Sequence, residues 1–236
     1  MTRGQSLTHG IVEEVGRAIV SGDFSLDGFP TEGELARRLG ASRGIVREAV
    51  KVLTAKGLLS ARPRHGTTLE PDSRWNLLDP DVLRWMLNRK LSIELLTSFT
   101  EMRLAVEPLA AAMAATRADP AGLAAVAGTI AQLRDALAGG GDPIAADVAF
   151  HIAVLEASGN PFFVQLSQLV ETALRTSVRL THGLKDLARS LAEHERVAAA
   201  ILAGDAAGAR DGMQQMMGDV LGLLSGLENA RASGAS

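Results

Sequence analysis

Neither cysteine nor tyrosine occurs anywhere in the 236 residues. Without thiols there can be no disulfide framework, no thiolate zinc finger and no cysteine nucleophile, which agrees with a cytoplasmic protein. Aromatic residues amount to only 3%, so a stacking platform for unpaired RNA bases is lacking. No run approaches the roughly 18 apolar residues of a membrane span, and the opening residues Met1 to Ser6 carry no signal-peptide pattern. No membrane partner is therefore expected, and the cytoplasm is the expected location. The formal net charge is only −3, so the whole molecule is not a polycation. What is present is ordinary apolar material, 47% of the chain, enough for one large domain or two modest ones.

The small net charge hides an asymmetry. Residues 35–66 hold Arg37, Arg38, Arg43, Arg47, Lys51, Lys56, Arg62 and Arg64 against a single acid, Glu48. Such a block on an acidic protein suggests one module that faces a polyanion and a second with a different task; a solvated basic helix face is the plain alternative. Apolar residues at Leu7, Ile11, Val15, Ala18 and Ile19 have helical spacing, with Gly22 placed to end the helix. Thr31-Glu32-Gly33-Glu34 reads as a capping box opening a short helix to about Leu39. After Gly40, Ser42 can cap a second helix from Arg43 to about Lys56, ended by Gly57. Two short helices joined by a tight turn form a helix-turn-helix. Strand-like pieces at residues 58–62 and 67–70, around Pro63-Arg64-His65-Gly66, add a basic-tipped hairpin, which makes a winged helix.

Packing Ile45, Val46, Ala49, Val50 and Leu53 inward leaves Arg43, Gly44 and Arg47 outward near the start of the second helix. There an arginine can donate twice to guanine in the major groove. Arg37, Arg38 and Lys51 are placed for phosphates, and Arg64, His65 and Gly66 for a minor groove or flanking phosphate. The runs Phe29–Ala36, Gly40–Ala49, Gly57-Leu58 and Arg62–Thr67 together resemble the GntR family of bacterial transcription regulators, over essentially all of residues 7–70. The resemblance implies double-stranded operator DNA as partner, with Arg37, Ser42, Arg43, Gly44, Arg47, Arg64, His65 and Gly66 as contacts. Gly33 stands where the family usually has an arginine that touches DNA.

Beyond a linker at residues 71–78 the chain reads as helical. Asp79-Pro80, Asp119-Pro120, Asp142-Pro143, Asn160-Pro161 and Gly204-Asp205 mark helix starts. The expected helices run over 79–89, 91–117, 120–138, 143–157, 161–181, 184–203 and 205–228, with 229–236 as a disordered tail. The fold class is thus mainly α: a winged helix-turn-helix over 1–70 and an all-helical bundle over 79–228.

Asp147 and His151 share a helix face at i,i+4, and His194 lies on a later helix. One oxygen and two nitrogen ligands could hold a divalent metal, although a hydrogen-bonded pair is the commoner use of that spacing. Residues 75–228 resemble the FCD ligand-binding domain of the FadR-type branch of the same family. That resemblance implies metal ligation by Asp147, His151 and His194, by zinc, nickel or manganese. It also aligns Met216 with a fourth, histidine ligand. The rival reading has the same three residues bonding an effector directly, without an ion. Arg103 matches a family arginine that reaches into the cavity; its donors suit an effector carboxylate, or else a structural salt bridge to Glu101 or Glu107. Arg175, Ser177 and Thr181 could add contacts. The run Trp75–Trp85 resembles the domain junction of regulators of sugar-acid catabolism, galactonate regulators especially, with both tryptophans seating the junction helix against the bundle.

The resulting expectation is a homodimeric, ligand-responsive regulator, a repressor, of an aldonate or uronate operon. Alternatives are a small hydroxy- or keto-acid effector and, from another class, a metal-dependent hydrolase or lyase using Asp147, His151 and His194.

Overall fold

The computed structural model describes residues 3–24, 28–62, 66–89, 93–181 and 187–234. The chain divides into two units, residues 1–91 and 92–236.

In the first unit, α1 (Arg3–Ser21) buries Ile11, Val12, Val15, Ile19 and Val20. It ends where Gly22 turns left-handed at φ 80°, its N–H bonded to the Ile19 carbonyl. The capping box forms as read: Thr31 Oγ1 accepts from the Glu34 amide, and Glu34 accepts from the Thr31 amide at 2.8 Å, opening α2 (Glu32–Arg38). Ser42 caps α3 (Arg43–Ala55), whose buried face is Val46, Ala49, Val50 and Leu53. Strands β1 (Leu59–Arg62) and β2 (Gly66–Leu69) pair antiparallel, from Leu59 opposite Leu69 to Arg62 opposite Gly66. That is the expected winged helix, with one core under α1, α3 and the hairpin.

The chain does not leave this unit at residue 71. A one-turn 3₁₀ helix at Asp72–Arg74 follows, and the Asn76 amide donates to the Lys56 carbonyl at 3.1 Å. Gly57, at φ 80°, lets this segment come close, because a Cβ there would stand 2.7 Å from the Arg74 carbonyl oxygen. Helix α4 (Pro80–Arg89) then packs on α1. Trp85 is 2% exposed and lies over Gly16, where an added Cβ would overlap the indole ring. Its Nε1 donates to Glu13 at 3.0 Å, and Arg84 grips the same carboxylate with two bonds of 2.9 and 2.7 Å. Lys56, at the end of α3, bonds Asp79 and Asp81 at 2.8 Å. Two expectations are corrected here. Helix 80–89 belongs to the winged-helix unit rather than to the bundle, so the second unit begins at 92 and not at 79. Trp75 and Trp85 likewise pack into the first unit's core. The reason is local: Gly16 leaves a recess that the alternation of apolar residues in α1 does not reveal.

The second unit is all helical among the described residues: α5 (Ile93–Arg117), α6 (Pro120–Asp135), α7 (Pro143–Ala157), α8 (Pro161–Gln165), α9 (Ser167–Thr181), α10 (Leu187–Leu202) and α11 (Ala206–Gly234). The cap residues behave as their chemistry demands. Asp119, Asp142, Asn160 and Asp205 accept from the amides of Gly122, Ile144, Phe162 and Gly208 at 2.7–3.0 Å. Three boundaries differ from expectation. A π turn at Ala136–Gly140 closes α6 early, with Gly139 at φ 95°. The segment 161–181 is two helices, broken at Leu166, and no glycine or proline marks the break. Residues 229–234, expected as a disordered tail, continue α11. Ala110, Ala111 and Ala114 of α5 are small enough for α11 to lie close along it, and Val148, Phe150, Val154 and Leu155 of α7 fill the centre with Met213, Met216 and Met217.

Candidate functional site

Two groups of side chains carry chemistry, one in each unit. On the winged helix, Arg43, Gly44 and Arg47 are exposed on the first turns of α3. Ser42 Oγ is occupied as the helix cap, accepting from the Ile45 amide at 3.4 Å. Arg47 Nε rests on Glu32 at 3.1 Å, and the Arg43 guanidinium lies against Gly33, 3.4 Å from where a Cβ would stand. Arg43 therefore uses the space that the missing side chain at 33 leaves open. Arg37 and Arg38 line a shallow cleft of about 550 Å³ with Gly28, Pro30 and Glu34. Gly66 is exposed at φ 76°, whereas Arg64 and His65 lie outside the described residues. Exposed cations along one helix and its neighbour are suited to a phosphate backbone, and the two arginines at the start of α3 to base edges.

The second group is buried in the helical unit. Helix α5 supplies Arg103 and Glu107, α7 supplies Asp147 and His151, and α10 supplies His194; all five are buried. Glu107 is the hub. Arg103 donates to it through Nε at 2.5 Å and Nη2 at 3.2 Å, and His151 Nδ1 lies 2.6 Å from its second oxygen. Burial pushes the Glu107 carboxyl up, but Arg103 and His151 together outweigh that and hold it down to about 2. Burial also pushes His151 down; the carboxylates of Glu107 and Asp147 oppose this and Arg103 reinforces it. A neutral His151 that donates from Nδ1 to a carboxylate keeps its lone pair on Nε2, which stands 4.0 Å from Asp147.

His194 is arranged in the same way. Its Nδ1 is 2.7 Å from the Ser190 carbonyl, which can only accept, so in the neutral ring the lone pair is on Nε2. That Nε2 is buried without a hydrogen-bond partner, 3.3 Å from Asp147 Oδ1. Two imidazole lone pairs and a carboxylate thus converge, with ligand atoms within 4.8 Å of one another. The donor set, two nitrogens and one oxygen on buried helices, fits a divalent first-row metal, and each histidine has the outer partner that orients a ligand ring. Phe150 packs edge-on against both rings. Met216 is buried in the same unit's core, and its thioether is a poor ligand for such an ion.

Asp147, His151 and His194 come together: the i,i+4 spacing accounts for the first two, and the family resemblance implies the third. Arg103 does not stand open to an effector carboxylate: it is closed onto Glu107, the salt-bridge alternative for this residue. Glu107 itself was legible only as that partner, four residues on; its bond to His151 has no signal in the sequence. Arg175 is exposed and paired with Glu171 at 2.9 Å, which removes it from an interior site, and the side chains of Ser177 and Thr181 lie outside the described residues.

Both units match known protein families. Residues 7–69 match the model of the bacterial regulatory proteins of the gntR family, and residues 98–219 match the FCD domain. An uncharacterized HTH-type transcriptional regulator of Escherichia coli K12, YieP, is 32% identical over 85% of this chain and 88% of its own length. The galactonate operon transcriptional repressor of the same organism is 33% identical over 82% and 86%. A putative L-lactate dehydrogenase operon regulatory protein, also from that organism, is 33% identical over 78% and 73%. These are regulators and not enzymes, so the hydrolase or lyase reading is set aside. No described helix is long and apolar enough to cross a membrane. With a GntR-type winged helix-turn-helix ahead of an FCD domain, the chain belongs to the GntR family of ligand-responsive bacterial transcription regulators.

Proposed function

We propose that the protein represses a sugar-acid catabolic operon, an aldonate or uronate being the effector, and that it binds a pseudo-palindromic operator as a homodimer. The observation that carries the effector side is the convergence of His151 Nε2, His194 Nε2 and Asp147 in a buried centre. Arg103 and Glu107 cancel each other's charge, so Arg103 offers no free cation to an effector carboxylate. A divalent cation held by Asp147, His151 and His194 would supply the missing positive charge. The protein's own part is to fix the two rings through Glu107 and Ser190 and to exclude water with Phe150. The likeness to the galactonate repressor supports a sugar acid; the likeness to the lactate-operon regulator supports a smaller hydroxy acid in the same position. Dimerisation supports specificity, since one winged helix has few base contacts and two match a two-fold operator.

A thermal-shift screen of aldonates, uronates and small hydroxy acids, with and without zinc, nickel or manganese, tests the effector side. A sugar acid should raise the melting temperature only when metal is present, and Asp147→Ala should abolish the shift. The same acid should change operator affinity about 5–150-fold. Stabilisation by small hydroxy acids alone moves the reading to that class, and silence from every acid under metal-replete conditions sinks both.

On the DNA side, Arg43→Ala and Arg47→Ala should each cost about 1–3 kcal/mol of discrimination between operator and random duplex. Lys51→Ala should instead weaken both duplexes alike and lower the salt slope by about 1. Fluorescence anisotropy at several salt concentrations, with duplexes from the gene's own neighbourhood, separates the two behaviours.

A further inference from the structure

We infer that Glu107 is the positioning residue of the buried centre, holding His151 in the Nδ1–H tautomer with Nε2 turned toward Asp147, and that Arg103 acts through Glu107 as its counter-charge. The inference rests on the cation reading above only for its affinity readout.

The geometry is closed on every side of this carboxylate. One oxygen accepts from Arg103 Nε, and the other accepts from Arg103 Nη2 at 3.2 Å and from His151 Nδ1 at 2.6 Å. Held at both oxygens, the carboxylate cannot rotate away from the ring. Glu107 is 1% exposed, so no water competes for the His151 proton. The bond also crosses from α5 to α7, which fixes the ring in space as well as its protonation. A ring turned about Cβ–Cγ would carry Nε2 away from Asp147 and break the convergence with His194. Arg103 is 3% exposed, and its Nε and Nη2 are spent on this one carboxylate. An incoming anion would therefore meet a pair that is already neutral. Arg103 sits against both oxygens of this buried carboxylate and so supplies the counter-charge that its burial calls for.

The test uses the full-length, metal-free protein. Long-range ¹H–¹⁵N spectra of ¹⁵N-histidine-labelled protein report the tautomer of His151, and zinc affinity is read by competition with a chromogenic chelator. Glu107→Gln puts an amide NH₂ where one acceptor oxygen stood, so either Arg103 or His151 faces a donor. It should lose about 10–100-fold in zinc affinity, the usual penalty for removing a ligand's outer partner. Because that variant also strands Arg103, the double variant R103M/E107L serves as the decisive arm. It removes both charges and should recover the thermal stability that either single change loses. It should nevertheless keep the weakened zinc affinity, since His151 still lacks an acceptor. Recovery of wild-type zinc affinity along with stability would show that the pair is merely structural and overturn the inference. So would a wild-type His151 found in the Nε2–H form. If the wild type binds no zinc, the cation reading falls and the tautomer alone decides. Loss of the Nδ1–H preference in R103M/E107L then supports the role of Glu107, and an unchanged tautomer refutes it.

Discussion

Arg103→Met is expected to cost the helical unit about 3–5 kcal/mol, the usual penalty for leaving one partner of a buried ion pair without the other. Against a total of about 5–15 kcal/mol for a domain, that is close to unfolding. The effect has a pH signature with a definite sign. In the wild type the Glu107 carboxyl sits near 2, below its ordinary 4.5, so it contributes stability that is full above pH 4.5 and is lost as the pH falls toward 2. Without Arg103, only His151 opposes the cost of burial, so the folded-state value moves up. Ionised Glu107 is then less stabilising at neutral pH, a difference that narrows as acid protonates it. Urea melts at pH 7 and pH 5 should therefore show the variant's deficit shrinking toward pH 5, while the wild type changes little. Both tryptophans, Trp75 and Trp85, lie in the winged-helix unit, so their fluorescence follows that unit and far-UV circular dichroism is weighted to the other. The deficit belongs in the dichroism trace. An equal shift in both traces, or a deficit unaffected by pH, would contradict the buried-pair account.

The helix starts were legible because they are written in single residues with one physical job. Asp119, Asp142 and Asn160 precede prolines that have no N–H to satisfy, and each side chain takes an amide of the first turn. The breaks lacking such a mark were not legible. Nothing between Pro161 and Thr181 signals the interruption at Leu166, and no breaker ends α11 before Gly234. The placement of α4 was hidden for another reason. Its residues have an apolar face that could serve either unit, and the choice is made by Gly16, Glu13 and Lys56, up to 72 residues away in sequence.

The buried centre was legible in part for the same reason. Asp147 and His151 are one helical turn apart, so spacing alone puts them together, whereas His194 enters through a contact between helices that only the family likeness foretold. Arg103 was legible as a residue in need of an anion, and the ambiguity between effector and protein carboxylate is one of tertiary structure. Glu107 lies one turn from Arg103, which signals the ion pair. Its second bond, 44 residues away to His151, is set by how α5 and α7 pack.

Trp85→Ala should cost the winged-helix unit about 3–5 kcal/mol, because a fully buried indole leaves both its transfer energy and a cavity behind. It also removes the donor to Glu13 and the ring face near Lys56 and Arg84, so the tie between the end of α3 and α4 loosens with it. Operator binding should fail at temperatures where the wild type is still fully folded. The recess under the ring gives a sharper check, in which two alanines on one helix have opposite signs. Gly10 is exposed in α1 with open space around its Cβ position, so Gly10→Ala should stabilise by about 0.5–1 kcal/mol through helix propensity alone. Gly16→Ala gains the same propensity, yet its methyl group enters the space of a ring packed too tightly to swing aside, an overpacking penalty of about 1–3 kcal/mol. The net change at 16 should therefore be destabilising. Trp85→Phe in the Gly16→Ala background should recover part of the loss, since the smaller ring gives the methyl room. Melting curves in which Gly10→Ala and Gly16→Ala move together would mean that Trp85 does not lie over Gly16, and that α4 is held to α1 by its ion pairs alone.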